Sequence, residues 1–378
     1  MRDQFIKQAR RIVVKVGSSL VASRESGLWP ERIEHLAEDI TYVQKGGREV
    51  LLVSSGAIVS GIQKLGLKAY PKSLPLKQAA AAVGQSRLMW AYEKAFERLG
   101  GKVAQILLTH QDLTDRRRFL NARHTLTTLI ELGVTPIINE NDTVAVDEIR
   151  FGDNDTLAGQ VAHLVDADLL IILSDVDGLF TEDPRRNRAA ELIPLVTEIT
   201  KDIEQRAGAS TSFEGTGGMA TKIQTAKKVA EYGVATLIVN GTASGALSAV
   251  FDGTDLGTLI LPRGRRLTSR KHWIAFTLKA KGHVVLDDGA VQALALRGKS
   301  LLASGVVDVQ GEFGPGDAVL CADRHGKEFA KGLVNFGSDT LRKIKGMKTS
   351  EIRKALGLQE YEEVIHRDNL VILESACK

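Results

Sequence analysis

Short apolar runs alternate with helical patterns, and each run stops at small or polar residues; no other feature of the chain limits its fold as strongly. Apolar runs at residues 11–16, 50–53, 103–108, 134–138 and 169–173 alternate with helix-like segments at 30–45, 75–99, 117–131 and 155–165. Runs this short and this apolar suit strands covered on both faces. Gly46-Gly47 closes the first helix, and Phe119, Leu126 and Ile130 keep helical spacing in the third. The second helix is rich in alanine, and Gly84 is expected to interrupt it. Such alternation specifies an α/β three-layer sandwich: a mainly parallel sheet with helices on both faces. Ligands of these sheets collect beyond the carboxyl ends of the strands.

Four strand ends carry the same mark. Lys15-Val16-Gly17, Ser54-Ser55-Gly56, Asn-Glu-Asn-Asp at 139–142 and Ser174-Asp175 each close an apolar run, and they are expected to share one rim. Turns account for the glycines and serines. They do not account for Lys15, because an ammonium inside an apolar strand needs an anionic partner, and a ligand is expected there. Residues 139–155 hold the densest set of carboxylates and amides. Strand-prone Val144, Val146, Ile149 and Phe151 separate the polar clusters 139–142 and 153–155, which can therefore face each other across a short excursion. Asn154 or Asp155 can cap the helix that follows. The same stretch also reads as one loop with a capped helix and solvated acids.

Residues 214–222, Glu-Gly-Thr-Gly-Gly-Met-Ala-Thr-Lys, form a second candidate site. Met219, Ile223, Ala226 and Ala230 then keep helical spacing. Glycines ahead of a helix let free backbone N–H groups meet an anion, and Lys222 in the first turn adds a full charge. No strand precedes this run, and Asn240 rather than an acid ends the next strand, so a dinucleotide site is disfavoured. Asp175-Val176-Asp177-Gly178 lacks the later ligands of a calcium loop and reads as a turn.

Length suits two domains, since 378 residues exceed the usual size of one. A formal charge of +4 is too small to imply a nucleic-acid or membrane partner. Cys321 and Cys377 are the only cysteines, and the eight histidines show no paired spacing, so neither a disulfide framework nor a zinc site is indicated and a cytoplasmic setting is expected. No apolar stretch has the length of a membrane span or a signal peptide. Arg263, Arg265, Arg266, Arg270 and Lys271 mark a basic linker. Beyond it, strand-like runs at 306–309, 318–321 and 329–334, with turns at Gly314-Pro315-Gly316-Asp317 and His325-Gly326, predict a small mainly-β barrel. Arg342, Lys343, Lys345 and Lys348 could form a nucleic-acid patch or a solvated basic face.

Laid out in this order, the chain resembles the glutamate 5-kinases of the amino-acid kinase family over nearly its whole length. The resemblance rests on Val-Val-Lys-Val-Gly-Ser-Ser (13–19), Val-Ser-Ser-Gly-Ala (53–57), Ala-Val-Gly-Gln-Ser-Arg-Leu (82–88), Arg-Phe-Leu-Asn-Ala-Arg (118–123), Ile-Asn-Glu-Asn-Asp (138–142), Gly-Asp-Asn-Asp (152–155) and Gly-Thr-Gly-Gly-Met-Ala-Thr-Lys (215–222). Residues 281–358 resemble a PUA domain, with Asp-Asp-Gly-Ala (287–290), Gly-Lys-Ser-Leu-Leu (298–302) and Gly-Asp (316–317). The resemblance implies an amino-acid-kinase domain at 1–262, a linker region at 263–280, the PUA-like domain at 281–358 and a tail at 359–378. It further implies ATP-dependent phosphorylation of the side chain of L-glutamate, the first step of proline biosynthesis, with Mg²⁺ riding on the nucleotide and no firm protein metal ligand.

By the same resemblance Lys15 meets the transferring phosphoryl group, Lys222 meets the nucleotide phosphates, and Asp155 holds both ammonium groups. Ser55, Asp142 and Asn154 match the glutamate contacts. Lys15, Gly17, Ser174, Asp175, Thr216, Gly217, Gly218, Met219, Ala220, Thr221 and Lys222 fall to ATP, with Ser174 standing where some members have threonine. A homo-oligomer, often a tetramer, with proline as feedback inhibitor is also implied. Two other readings stand beside this one. One is a kinase for a different amino acid, against which Asp142 argues because it suits a free α-ammonium. The other is an RNA-binding or RNA-modifying protein using the PUA-like domain.

Overall fold

The computed structural model describes residues 2–23, 25–144, 154–184, 187, 189–209, 218–262, 274, 278–347, 351–352 and 363–373. The chain divides into two compact units, Met1–Arg266 and Leu267–Lys378.

In the first unit α1 (Arg2–Gln8) precedes β1 (Arg11–Val16), a single turn α2 (Ser18–Val21) and a small hairpin of β2 (Ala22–Ser23) and β3 (Gly27–Leu28). Then come α3 (Pro30–Lys45), β4 (Glu49–Ser54), α4 (Ala57–Lys64), α5 (Leu74–Glu97), β5 (Lys102–Leu108), α6 (His110–Thr114), α7 (Arg116–Glu131) and β6 (Val134–Glu140). The unit continues through α8 (Asn154–Leu164), β7 (Leu169–Ser174), β8 (Leu195–Val196), α9 (Lys201–Ala209), α10 (Met219–Glu231), β9 (Ala235–Asn240), α11 (Ala246–Phe251) and β10 (Thr258–Ile260). Eight of these strands form one sheet in the order β5-β6-β4-β1-β7-β9-β10-β8. All its pairings are parallel except that of β9 with β10. The four marked strand ends belong to β6, β4, β1 and β7, which are consecutive in the sheet, so they do share one rim.

Side-chain alternation along these strands builds two cores. Ile12, Val14 and Val16 of β1, Val50 and Leu52 of β4, and Leu169, Ile171 and Leu173 of β7 pack with α3 and α5. Val13, Leu51, Val53, Leu170 and Ile172 point the other way and pack with α8 and α10. Burying both faces in this manner is what the near-continuous apolar runs require.

Helix α5 runs unbroken through Gly84, contrary to the interruption expected from the sequence. A Cβ at Gly84 would lie 1.8 Å from the Ala57 carbonyl oxygen, and one at Gly61 of α4 would lie 1.7 Å from that of Ala80. Both glycines exist so that the two helix backbones can approach closely.

The second unit is mainly β. Strands β11 (Gly282–Leu286), β12 (Val306–Gly311), β13 (Ala318–Ala322), β14 (Glu328–Leu333) and β15 (Leu370–Ile372) form a mixed sheet in the order β12-β11-β13-β14-β15. Pairing of β15 with Ala330, Lys331 and Gly332 of β14 builds part of the segment expected as a separate tail into this sheet. The Asp-Gly-Ala motif also has a local reason: Asp287 caps the helix Asp288–Ala295 by accepting from the Ala290 N–H at 2.7 Å. Asp317 of the Gly-Asp pair accepts from the Gly314 N–H at 2.8 Å and pairs with Lys281 at 2.9 Å. In the basic run, Arg342 is held by Glu312 at 2.9 Å and Asp339 at 3.0 Å, and Lys345 by Asp308 at 3.1 Å. Those acids offset the charge that a nucleic-acid patch would present.

Candidate active site

Strand alternation decides which helix each rim residue meets. Lys15 follows the parity of Val13, so its side chain emerges on the face covered by α8 and α10. There its Nζ lies 2.7 Å from Asp155 Oδ1, in the first turn of α8, and Lys222 Nζ, in the first turn of α10, lies 3.2 Å from Asp155 Oδ2. Asp155 is fully buried, and Lys15 and Lys222 are 5 % and 4 % exposed. Burial works to raise the Asp155 carboxyl, but the two ammonium groups outweigh it and hold the carboxyl below its ordinary range. Thr221 Oγ1 adds a donor 3.2 Å from Asp155 Oδ2 and also reaches the Gly218 carbonyl at 2.8 Å. The partner that Lys15 demanded is therefore a protein carboxylate. Burying charges is costly even when they are paired, so a triad of two cations and one anion is poorly explained by stability.

Ser54 and Asn139 follow the opposite parity and meet α5. Ser54 Oγ lies 2.8 Å from the buried Tyr92 hydroxyl, and Asn139 Nδ2 donates to Gln85 Oε1 at 2.9 Å. Asn154 Nδ2 reaches across to the Ser54 carbonyl at 2.8 Å, Ser55 Oγ at 2.9 Å and Asn139 Oδ1 at 3.0 Å. Among the described residues, neither side chain at the start of α8 bonds to that helix's backbone as the expected cap would. Asn154 serves the amide cluster, and its neighbour Asp155 serves the lysine triad, so adjacent residues join two polar assemblies at one rim.

The other expected residues that the structure describes sit at the ends of strands and helices. Asp142 lies half-buried in the turn directly after β6. Gly17 follows β1, and a Cβ on it would come 4.0 Å from Lys15 Nζ. Gly56, with φ +105°, starts α4 in a left-handed conformation that favours glycine. Ser174 is buried at the end of β7, and its hydroxyl donates to Asp175 at 3.2 Å. Gly218 is the N-cap of α10, with Met219, Ala220 and Thr221 in its first turn. Thr216 and Gly217 lie outside the described residues, as do 145–153. The sequence marks Asn139 only as part of a polar strand end and Gln85 only as part of a family motif, and it gives Tyr92 no role; two polar residues in an alanine-rich helix were the available signal for the pair on α5.

Residues 10–240 match the amino acid kinase family and residues 282–356 the PUA domain. The chain belongs to the amino acid kinase family. Among relatives of this amino acid kinase, the glutamate 5-kinase of Geobacter metallireducens is 52 % identical over 373 residues, covering 99 % of this chain and 100 % of that protein. The glutamate 5-kinase of Geobacter sulfurreducens is 50 % identical with the same coverage. Carbamate kinase from Giardia lamblia bound to AMP-PNP, at 18 % identity and TM-score 0.50, covers 68 % of this amino acid kinase and 99 % of its own chain, a likeness of fold. Among the described residues no helix is long and apolar enough to cross a membrane.

Proposed function

We propose that the rim transfers the γ-phosphoryl group of ATP to the side-chain carboxylate of L-glutamate, forming L-glutamyl 5-phosphate in the first step of proline biosynthesis. The observation that carries this reading is the junction at Asn154-Asp155, which joins a buried Lys-Asp-Lys triad to an amide and hydroxyl cluster. Phosphoryl transfer between a nucleotide and a carboxylate brings anions together, so fixed positive charge and alignment supply the catalysis. Lys15 faces the transferring group, Lys222 the nucleotide phosphates, and Asp155 holds the two ammonium groups in register. A carboxylate acceptor is already deprotonated, so the reaction needs no general base. That suits an Asp155 held ionised and paired.

On the amino-acid side, Asn154 has committed Nδ2 to Ser54 and Asn139 and offers Oδ1 as an acceptor for an α-ammonium, which the carboxylate of Asp142 would also attract. Ser55 Oγ lies 2.9 Å from Asn154 Nδ2 and has its own proton to offer a substrate carboxylate. The nucleotide falls to Gly17, Ser174, Asp175 and residues 216–222. The described residues hold no cluster of three or more His, Cys, Asp or Glu suited to a metal ion. Both oxygens of Asp155 already face ammonium groups, so magnesium fits best as a passenger on the phosphates, where it neutralises their oxygens. Likeness to the glutamate 5-kinases extends the proposal to a cytoplasmic homo-oligomer, often a tetramer in that family, inhibited by proline.

The test is turnover of glutamate with ATP and magnesium in hydroxylamine, which traps an acyl phosphate as a hydroxamate. Hydroxamate with glutamate and much less with aspartate is expected. Equal turnover of N-acetylglutamate, which lacks the ammonium, would overturn the substrate assignment.

A further inference from the structure

Gln85 has no place in the chemistry above, yet it begins a chain of buried amides that ends at the proposed glutamate contacts. Its Oε1 accepts from Asn139 Nδ2 at 2.9 Å. Asn139 Oδ1 accepts from the backbone N–H of Glu140 at 2.9 Å and from Asn154 Nδ2 at 3.0 Å. Two anchors in this chain cannot be reversed. The Glu140 N–H can only donate, and the Ser54 carbonyl, 2.8 Å from Asn154 Nδ2, can only accept. These anchors set the sense of both amides, and the acceptor at position 85 satisfies the remaining Asn139 donor, so that Asn139 is held with Oδ1 toward Asn154, and Asn154 is left with Oδ1 for the substrate. Without that acceptor, Asn139 Nδ2 becomes a buried donor with nothing to meet. Turning the Asn139 amide over would set its NH₂ against two other donors.

A second observation separates this role from simple packing. Gln85 is 8 % exposed, and its Nε2 is buried with no hydrogen-bond partner among the described residues. An unmet buried donor costs stability, and each one calls for an explanation. An apolar side chain of similar length would remove that unmet donor but leave Asn139 Nδ2 unmet in its place, so the two costs offset and stability alone does not select glutamine here.

We propose that Gln85 is a positioning residue for the amino-acid substrate: by fastening the Asn139 amide it keeps Asn154 in place with its carbonyl oxygen available to the substrate ammonium, without touching the substrate. The inference rests on the reading of Asn154 and Ser55 as glutamate contacts. The experiment compares wild-type enzyme, Gln85→Met and Gln85→Glu in the hydroxamate assay, varying glutamate and ATP separately, with thermal unfolding of each protein. Gln85→Met should raise the glutamate KM about five- to tenfold, the worth of one ordered hydrogen bond. Its kcat and ATP KM should stay within about twofold of wild type, the pattern of lost uniform binding. Its Tm should stay close to that of wild type, because one unmet buried donor replaces another. Gln85→Glu still offers an acceptor to Asn139 and should restore most of the glutamate affinity.

An unchanged glutamate KM in Gln85→Met, an equal rise in the ATP KM, or a Gln85→Glu variant as impaired as Gln85→Met would each overturn the proposal. So would a joint fall of kcat and Tm, which marks a structural role alone. Gln85→Leu supplies the same comparison if the methionine variant does not fold. Failure of the wild-type enzyme to form hydroxamate would instead remove the functional reading, and this inference with it.

Discussion

Lys15 stands in a strand whose neighbours Val13, Val14 and Val16 are all buried, and its charge is balanced only because Asp155 comes within 2.7 Å. Removing the ammonium should therefore damage the transition state more than the fold. Lys15→Ala is expected to lower kcat by roughly 10²- to 10³-fold, similar to losing a preorganised oxyanion donor. Asp142→Asn should instead raise mainly the KM for glutamate, and steady-state kinetics with each substrate varied separates the two outcomes. His163 offers a test of stability. It lies on α8 with its ring 4.4 Å from that of Tyr232 and 6.0 Å from that of Phe119. Burial lowers its pKa to about 4, with Asp166 opposing and Arg123 adding to the shift. Between about pH 6.5 and 4 the unfolded chain binds a proton at this site that the folded chain does not. Stability should thus fall as pH drops through that window, by roughly 3 kcal/mol at its lower end. Chemical denaturation across the window should show a flatter profile in His163→Phe.

At the scale of elements, α4 and α5 form the tightest contact of the first unit, with backbone touching backbone at Gly61 and Gly84. Gly84→Ala would place a methyl group 1.8 Å from the Ala57 carbonyl oxygen, so the helices must separate. The expected cost is about 1–3 kcal/mol of stability, typical of overpacking, and urea unfolding measures it. Because α5 also carries Gln85 and Tyr92 to the ends of β6 and β4, the same change should weaken glutamate binding. Helix propensity alone would forecast the opposite, since alanine favours a helix more than glycine does.

Across the whole molecule, every residue assigned to chemistry lies before position 266, where the first compact unit ends. Pro262, just before the basic linker, and Gly264 within it discourage a strand from continuing through it. A truncated chain ending near Arg266 should fold and keep kinase activity. Hydroxamate formation by that protein is the measurement. A chain folded by circular dichroism but inactive would mean that the second unit completes the active site.

Hydrophobic period and the residues closing each strand were enough, without tertiary structure, to establish the alternating α/β order and the four ends that share a rim. They also singled out Lys15, because charge within an apolar strand is a local and visible cost, and Lys222, by its place after a glycine-rich helix start; Asp155 stood out only as a possible cap, and its part with the two lysines was implied by the family resemblance. Which partner relieved that cost was not local. Asp155 is 140 positions from Lys15 in sequence and meets it only because strand parity turns Lys15 toward the face that α8 covers. The same distance hid the reason for Gly84, which looks like a helix break until α4 is laid against it. It also hid Gln85, an ordinary polar residue in a helix until β6 brings Asn139 to its amide. Periodicity is carried by neighbours along the chain, whereas hydrogen-bond polarity and backbone contact depend on residues that only folding brings together.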